Sequence, residues 1–160
     1  MFTLRCTAKL RDRLNAPSET SPVTPSTRLG DWYAHLLFTR PQLVLCVSER
    51  TLLPVLVPAR DGGGLVQRLR EGVGQVLRTL DVPDAVIAAE QSVMSQAIIG
   101  KTRSRQVLGS INDFVRMLDW YLGRHRTLLD VSLHLAETPC GPLKGNSPKL
   151  ETIRVLGTPS

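Results

Sequence analysis

The sequence predicts an α+β fold: a mostly antiparallel sheet of four to five strands with three main helices packed on one face. Apolar residues repeat at every second position in much of residues 28–60, which is typical of strands. Between residues 65 and 122 they repeat mostly at helical spacing. The chain has 160 residues, a length that suits one domain with a single core, and it contains no internal repeat. We therefore expect a single domain over residues 1–160.

The N-terminal region is expected to hold one strand and one short helix. Phe2, Leu4 and Cys6 alternate with polar residues, which predicts a strand, and Thr7 can cap the helix that follows. Residues 16–27 carry three prolines among Ser and Thr, so we expect a flexible loop there.

Residues 28–60 are expected to form three strands joined by turns. Alternation from Trp32 predicts the first strand, and the continuous apolar run over residues 43–47 suits a central strand. The third strand covers residues 52–57. Pro54 indicates that this strand lies at the sheet edge or carries a bulge, because proline cannot donate to a hydrogen-bond ladder.

Two consecutive helices are expected next. Apolar spacing predicts a helix over residues 65–80. Pro83 is well placed to open the second helix, whose buried stripe would reach Ala97.

The third main helix is expected to begin at Ser110. Ser110 would be its N-cap, Asp113 would complete a capping box, and Gly123 would end it. Alternation over residues 129–136 then favours another strand, with a short helix as the alternative. A last short helix could start at Pro148, and the tail 157–160 is expected to be flexible.

Composition and charge narrow the classes of function. The net charge is +6, and a basic excess of this size suits contact with nucleic acid or an acidic protein. No apolar run is long enough for a membrane span, and charged residues interrupt any N-terminal signal peptide, so we expect a cytoplasmic protein without membrane contact. The three cysteines and three histidines show no zinc-ligand spacing, and we expect neither a metal nor a cofactor.

The basic residues are concentrated before and along the third helix. Between residues 101 and 126, six cationic side chains stand against two carboxylates. Lys101, Arg103 and Arg105 precede the expected helix start, where free backbone N–H groups and the helix dipole attract anions. This loop could collect a phosphate or a carboxylate. The alternative is that Ser110 and Asp113 satisfy the helix end and the basic residues are solvated.

Two sets of candidate site residues result. The residues expected to bind an anion or nucleic acid are Arg28, Lys101, Thr102, Arg103, Arg105, Ser110 and Asn112. A second polar cluster comprises Asp31, Glu49, Arg50 and Asp113. Gly100-Lys101-Thr102 lacks the spacing and the strand–helix context of a nucleotide-binding P-loop. Aromatic residues are sparse, which argues against a platform for stacked bases. The rings expected to be mostly in the core or half-buried are Trp32, Phe38, Phe114 and Trp120.

Three functional hypotheses follow. The leading one is a non-catalytic binding module that contacts a phosphate backbone or an acidic partner through the basic loop. The second is a protein-interaction accessory subunit of a bacterial toxin–antitoxin or defence-type locus. The third is an enzyme, and it requires five polar residues to converge in one pocket. They are Asp31, Glu49, Arg105, Asn112 and Asp113.

Segments spread along the chain also carry a resemblance to a known family. They are Leu4-Arg5-Cys6-Thr7 with Lys9-Leu10, Arg28-Leu29-Gly30-Asp31-Trp32-Tyr33-Ala34, Ser48-Glu49-Arg50-Thr51-Leu52-Leu53-Pro54, Gly100-Lys101-Thr102, Arg105 with Val107-Leu108-Gly109-Ser110 and Asn112-Asp113-Phe114, and Leu135-Ala136-Glu137-Thr138-Pro139-Cys140-Gly141-Pro142-Leu143. Together they resemble a family of small bacterial proteins known only as a domain of unknown function. The chain has Ser48 and Ser104 where Asn is expected, and Ile111 where Met is expected. The resemblance spans nearly the whole chain and implies one domain, but no activity.

Overall fold

The structure is a computed structural model that describes residues 1–15, 23–60, 63–124 and 127–157. Most of the expected loop 16–27 and of the expected flexible tail 157–160 lies outside these ranges. Within them, five strands form one sheet, in the spatial order β4-β3-β2-β1-β5. The strands are β1 Phe2–Cys6, β2 Trp32–Leu37, β3 Leu43–Ser48, β4 Pro54–Pro58 and β5 Ala97–Lys101.

The sheet is mixed, and the fold is α+β as expected. Strands β2, β3 and β4 form the predicted antiparallel meander, with Pro54 in the edge strand. Strand β1 lies between β2 and β5 and is parallel to both. Its register places Leu4 opposite Trp32 on one side and opposite Ile99 on the other.

Helices cover both faces of the sheet, whereas the sequence predicted helices on one face. The helices are α1 Ala8–Leu14, α2 Leu65–Thr79, α3 Asp84–Ser92, α4 Arg105–Leu122, α5 Leu128–Leu135 and α6 Pro148–Gly157. Trp32 belongs to a core shared with α1, α2 and α3, which we call the first face. Its neighbour Tyr33 belongs to a second core shared with α4 and α5. Successive strand residues point to opposite faces, so two adjacent buried aromatic residues require cover on both sides.

Two expected elements differ from the structure. Helix α3 ends at Ser92, and Ala97 begins strand β5 instead of extending the helix. Pairing with β1, far away in sequence, decides this conformation, and a local apolar pattern cannot reveal it. Residues 128–135 form helix α5, the alternative to the expected strand.

Helix α5 protects the open edge of β4. The Thr127 side chain caps the helix by accepting from the backbone N–H of Asp130. One turn further on, the buried Ser132 hydroxyl accepts a hydrogen bond of 3.0 Å from the backbone N–H of Leu56. An outward-facing donor of the edge strand is thereby satisfied by a helix side chain. No helix in the described ranges has the length and apolar character needed to cross a membrane.

Candidate functional site

Helix α4 begins six residues earlier than the sequence predicted. Ser104 is the N-cap, and its hydroxyl accepts a hydrogen bond from the backbone N–H of Val107 at 3.2 Å. The Ser104 N–H in turn donates to the hydroxyl of Tyr33, which fixes the helix start against the sheet. Ser110, the expected N-cap, lies inside the helix and is buried. The prediction of Ser110 as the cap was therefore wrong.

The apolar spacing of α4 explains its true start. Val107, Ile111, Phe114 and Leu118 are buried at intervals of one helical turn and join the second core. Val107 can belong to this stripe only if the first turn is already helical at Arg105. Arg105 therefore sits in the first turn of α4 and not in a loop ahead of it.

A groove of about 420 Å³ runs between α4 and the 3-10 turn Gly141–Leu143. Its lining residues are Arg105, Gln106, Gly109, Ser110, Asn112, Asp113, Arg116, Gly141 and Pro142. A Cβ added at Gly109 would meet no atom within 4 Å, so the groove is open above this position. Four predicted site residues meet here: Arg105, Ser110, Asn112 and Asp113.

The charges along the groove are arranged unevenly. Asp113 forms an ion pair with Arg116 one turn further on, so the carboxylate is compensated within the helix. Arg105 is exposed and makes no ion pair with any carboxylate of the described residues. The uncompensated charge of the groove is therefore positive and lies at the N-terminal end of α4.

The remaining residues of the basic loop do not all face the groove. Lys101 lies opposite Cys6 in the parallel pair β1–β5, so strand alternation places it on the first face. Arg105 begins the helix that covers the second face. Arg103 is exposed in the connection between them, beside the partly buried Thr102. Lys101 and Arg105 thus leave the sheet on opposite sides.

Two predicted site residues have structural partners elsewhere. The Arg28 guanidinium donates to the backbone carbonyl of Val155 near the end of α6. The Arg50 guanidinium donates to the carbonyls of Thr27 and Arg28. Both side chains hold the chain just before β2, and neither lines the groove.

Asp31 is fully buried in an ion pair. Its carboxylate accepts from the backbone N–H of Thr3 at 2.9 Å and from the Arg5 guanidinium at 3.3 Å. Arg5 also donates to the backbone carbonyl of Lys101, so the pair connects β1 to the end of β5. Neither Asp31 nor the partly exposed Glu49 lines the groove. The five residues of the enzyme hypothesis therefore do not converge.

The only cysteine close to the groove among the described residues is Cys140. Burial raises the pKa of the nearby Cys140 thiol, and the Asp113 carboxylate raises this pKa further. The thiol is therefore protonated at neutral pH and is a poor nucleophile. In the described part of the chain, no group of three or more His, Cys, Asp or Glu side chains could hold a metal ion.

Sequence reasoning missed several residues of this surface. Gln106, Gly109 and Arg116 lie on one side of the helix once it starts at Arg105, whereas the expected start at Ser110 left Gln106 and Gly109 in a loop. The contribution of Gly141 and Pro142 depends on a long-range approach to α4, for which the sequence carries no signal.

The fold and the groove together define a small α+β domain with a mixed sheet between two helical layers and a polar groove on α4. The chain belongs to the family described as Domain of unknown function (DUF6933), whose model matches residues 3–151. This confirms the resemblance noted from the sequence. No curated protein and no solved structure matched the chain.

Proposed function

We propose that this protein is a non-catalytic binding module that contacts a phosphate-bearing polyanion through Arg103, Arg105 and the α4 groove. Nucleic acid is the first polyanion to test. The observation that carries the proposal is the exposed Arg105 in the first turn of α4, which has no carboxylate partner among the described residues. A guanidinium binds phosphate through a planar fork of N–H donors and stays charged at all physiological pH values.

The backbone at the start of α4 adds to this attraction. Ser104 satisfies the Val107 N–H with its hydroxyl and the Leu108 N–H with its carbonyl. Within the described residues, the N–H groups of Arg105 and Gln106 have no acceptor. Unpaired N–H groups and the helix dipole favour an anion beside the first turn.

The sheet topology also favours a ligand at this place. After β1 the chain crosses the first face through α1, and after β5 it crosses the second face through α4. The helices that directly follow the parallel neighbours β1 and β5 therefore lie on opposite faces, and both begin at the carboxyl ends of these strands. In open sheets, ligands bind outside the carboxyl ends of such strands.

The test is binding of fluorescein-labelled, mixed-sequence DNA and RNA, measured by fluorescence anisotropy at several salt concentrations. We expect affinity to fall as salt rises, because bound phosphates release their counterions. In the Arg103→Ala/Arg105→Ala variant, the slope of log K against log salt should become shallower by about one to two units.

The control variant removes the same charge elsewhere. Lys9 on α1 and Arg78 on α2 are exposed on elements of the first face. Lys9→Ala/Arg78→Ala should keep the wild-type slope. Absence of binding at low salt, or equal loss in both double variants, would overturn the proposal.

A further inference from the structure

The solvent-exposed side of α4 continues beyond the groove. Arg105, Gly109, Asn112, Arg116 and Trp120 follow one another at intervals of three or four residues, so they project in nearly one direction. The side chains of the second core lie on the opposite side of the same helix. With a rise of about 1.5 Å per residue, this exposed stripe is roughly 22 Å long.

An exposed tryptophan ends the stripe. Trp120 is 60% exposed, whereas the only other tryptophan of the sequence, Trp32, is fully buried. The Arg124 guanidinium lies 3.3 Å from the centre of the Trp120 ring and donates to the Trp120 carbonyl at 3.1 Å. The indole is thus held by a cation on one side and presents much of its area to solvent. The expectation that Trp120 and Phe38 are packed was therefore wrong, whereas Trp32 and Phe114 are buried as expected.

We propose that this stripe binds single-stranded nucleic acid, with a phosphate on Arg105 and an unstacked base on Trp120. The inference rests on the function proposed above and names the class of partner. A single strand offers both phosphates and a free aromatic face, and both Arg and exposed aromatic rings are typical of single-strand binding.

The positive charge of the stripe and the exposed Trp120 ring together favour a single strand over duplex DNA and over an acidic protein. In a duplex the bases are stacked on each other, so only the arginines would find partners. On an acidic protein surface, the carboxylates that would pair with arginine have no planar ring to stack on Trp120. The carboxylates on this side are Asp113, which is ion-paired with Arg116, and Asp119 at the margin of the stripe. The uncompensated positive charge of the stripe therefore lies at Arg105, at its N-terminal end.

The experiment uses tryptophan fluorescence, because only Trp120 can report a contact at the surface. The wild-type protein is titrated with unlabelled single-stranded RNA, single-stranded DNA and duplex DNA of equal length. At least one of the two single strands should quench the tryptophan fluorescence. The midpoint of this quenching should equal the midpoint of binding measured by fluorescence anisotropy. Duplex DNA should bind more weakly and leave the fluorescence nearly unchanged.

Three variants test the role of the ring. Trp120→Ala should lose about tenfold or more in affinity for the single strand, and Trp120→Phe should recover much of this loss because it retains a stacking face. Phe38→Ala is the matched control, since Phe38 is also an exposed ring beside a cation, Lys9. It should bind like the wild type. Circular dichroism checks that each variant is folded.

Two results would overturn the inference: unchanged single-strand affinity in Trp120→Ala, or equal quenching by duplex and single strand. If Arg103→Ala/Arg105→Ala still weakens binding in that case, the proposed polyanion function stands and only the single-strand inference fails. If no nucleic acid binds at low salt, the proposed function itself fails.

Discussion

Two ion pairs of this protein differ strongly in burial. The Asp31–Arg5 pair is almost inaccessible to solvent, and Asp31 is also bound by the Thr3 N–H. The Asp113–Arg116 pair is largely exposed. A buried charge without its partner is strongly unfavourable, whereas an exposed ion pair contributes little. Asp31 therefore supports the fold, whereas Asp113 contributes little to it.

This contrast leads to a stability prediction. Asp31→Ala leaves the Arg5 guanidinium buried without its carboxylate, and we expect a loss of roughly 3–5 kcal/mol in the free energy of unfolding. Asp113→Ala should lose less than about 1 kcal/mol. Urea unfolding followed by circular dichroism measures both. Similar losses in the two variants would contradict the assignment.

Single residues also show what the sequence could not reveal. Lys101, Arg103 and Arg105 are clustered in sequence, but strand alternation separates Lys101 from Arg105. Arg28 carries the same charge and caps the carbonyl end of α6 instead. Cationic character is visible in a sequence, but its direction and its partners depend on the tertiary structure.

At the scale of elements, the start of α4 decides which residues can form a site. A Ser-x-x-Asp pattern at Ser110 imitates a capping box, and Gly109 before it resembles a break. The structure instead caps the helix at Ser104. Because α4 begins at Arg105, its residues Arg105, Gly109 and Asn112 lie on one side of the helix and line the groove.

The two candidate caps can be distinguished by substitution. Ser104→Ala removes the hydroxyl that accepts from the Val107 N–H, and we expect a loss of about 1 kcal/mol in the free energy of unfolding. Ser110→Ala should cause a smaller change, because Ala is a favourable residue inside a helix. Chemical denaturation of both variants provides the measurement, and the reverse order would restore Ser110 as the cap.

Elements with local determinants were predicted well. The β2–β4 meander depends on neighbouring strands and turns, and the start of α3 is marked by Pro83. Strand β5 and helix α5 depend on distant partners. Residues 97–101 become a strand through β1, and α5 packs against the edge of β4 through Ser132. A short apolar pattern fits either conformation until such a partner is known.

At the scale of the molecule, the mixed sheet positions the candidate site. The antiparallel meander forms one half of the sheet, and the parallel strands β2, β1 and β5 form the other. Helices α1 and α4 leave the parallel half on opposite faces. The N-terminal end of α4 is therefore presented at the edge where β1 and β5 end, and the exposed stripe runs from there to Trp120.

An NMR titration of the ¹⁵N-labelled protein with a short mixed-sequence oligonucleotide at low salt shows directly whether Arg103, Arg105 and the exposed side of α4 receive the phosphates. We expect the largest amide shift changes at residues 103–106 and 109–116, and little change along α2. Largest changes on α2 and α3, or no saturable change at all, would contradict the account.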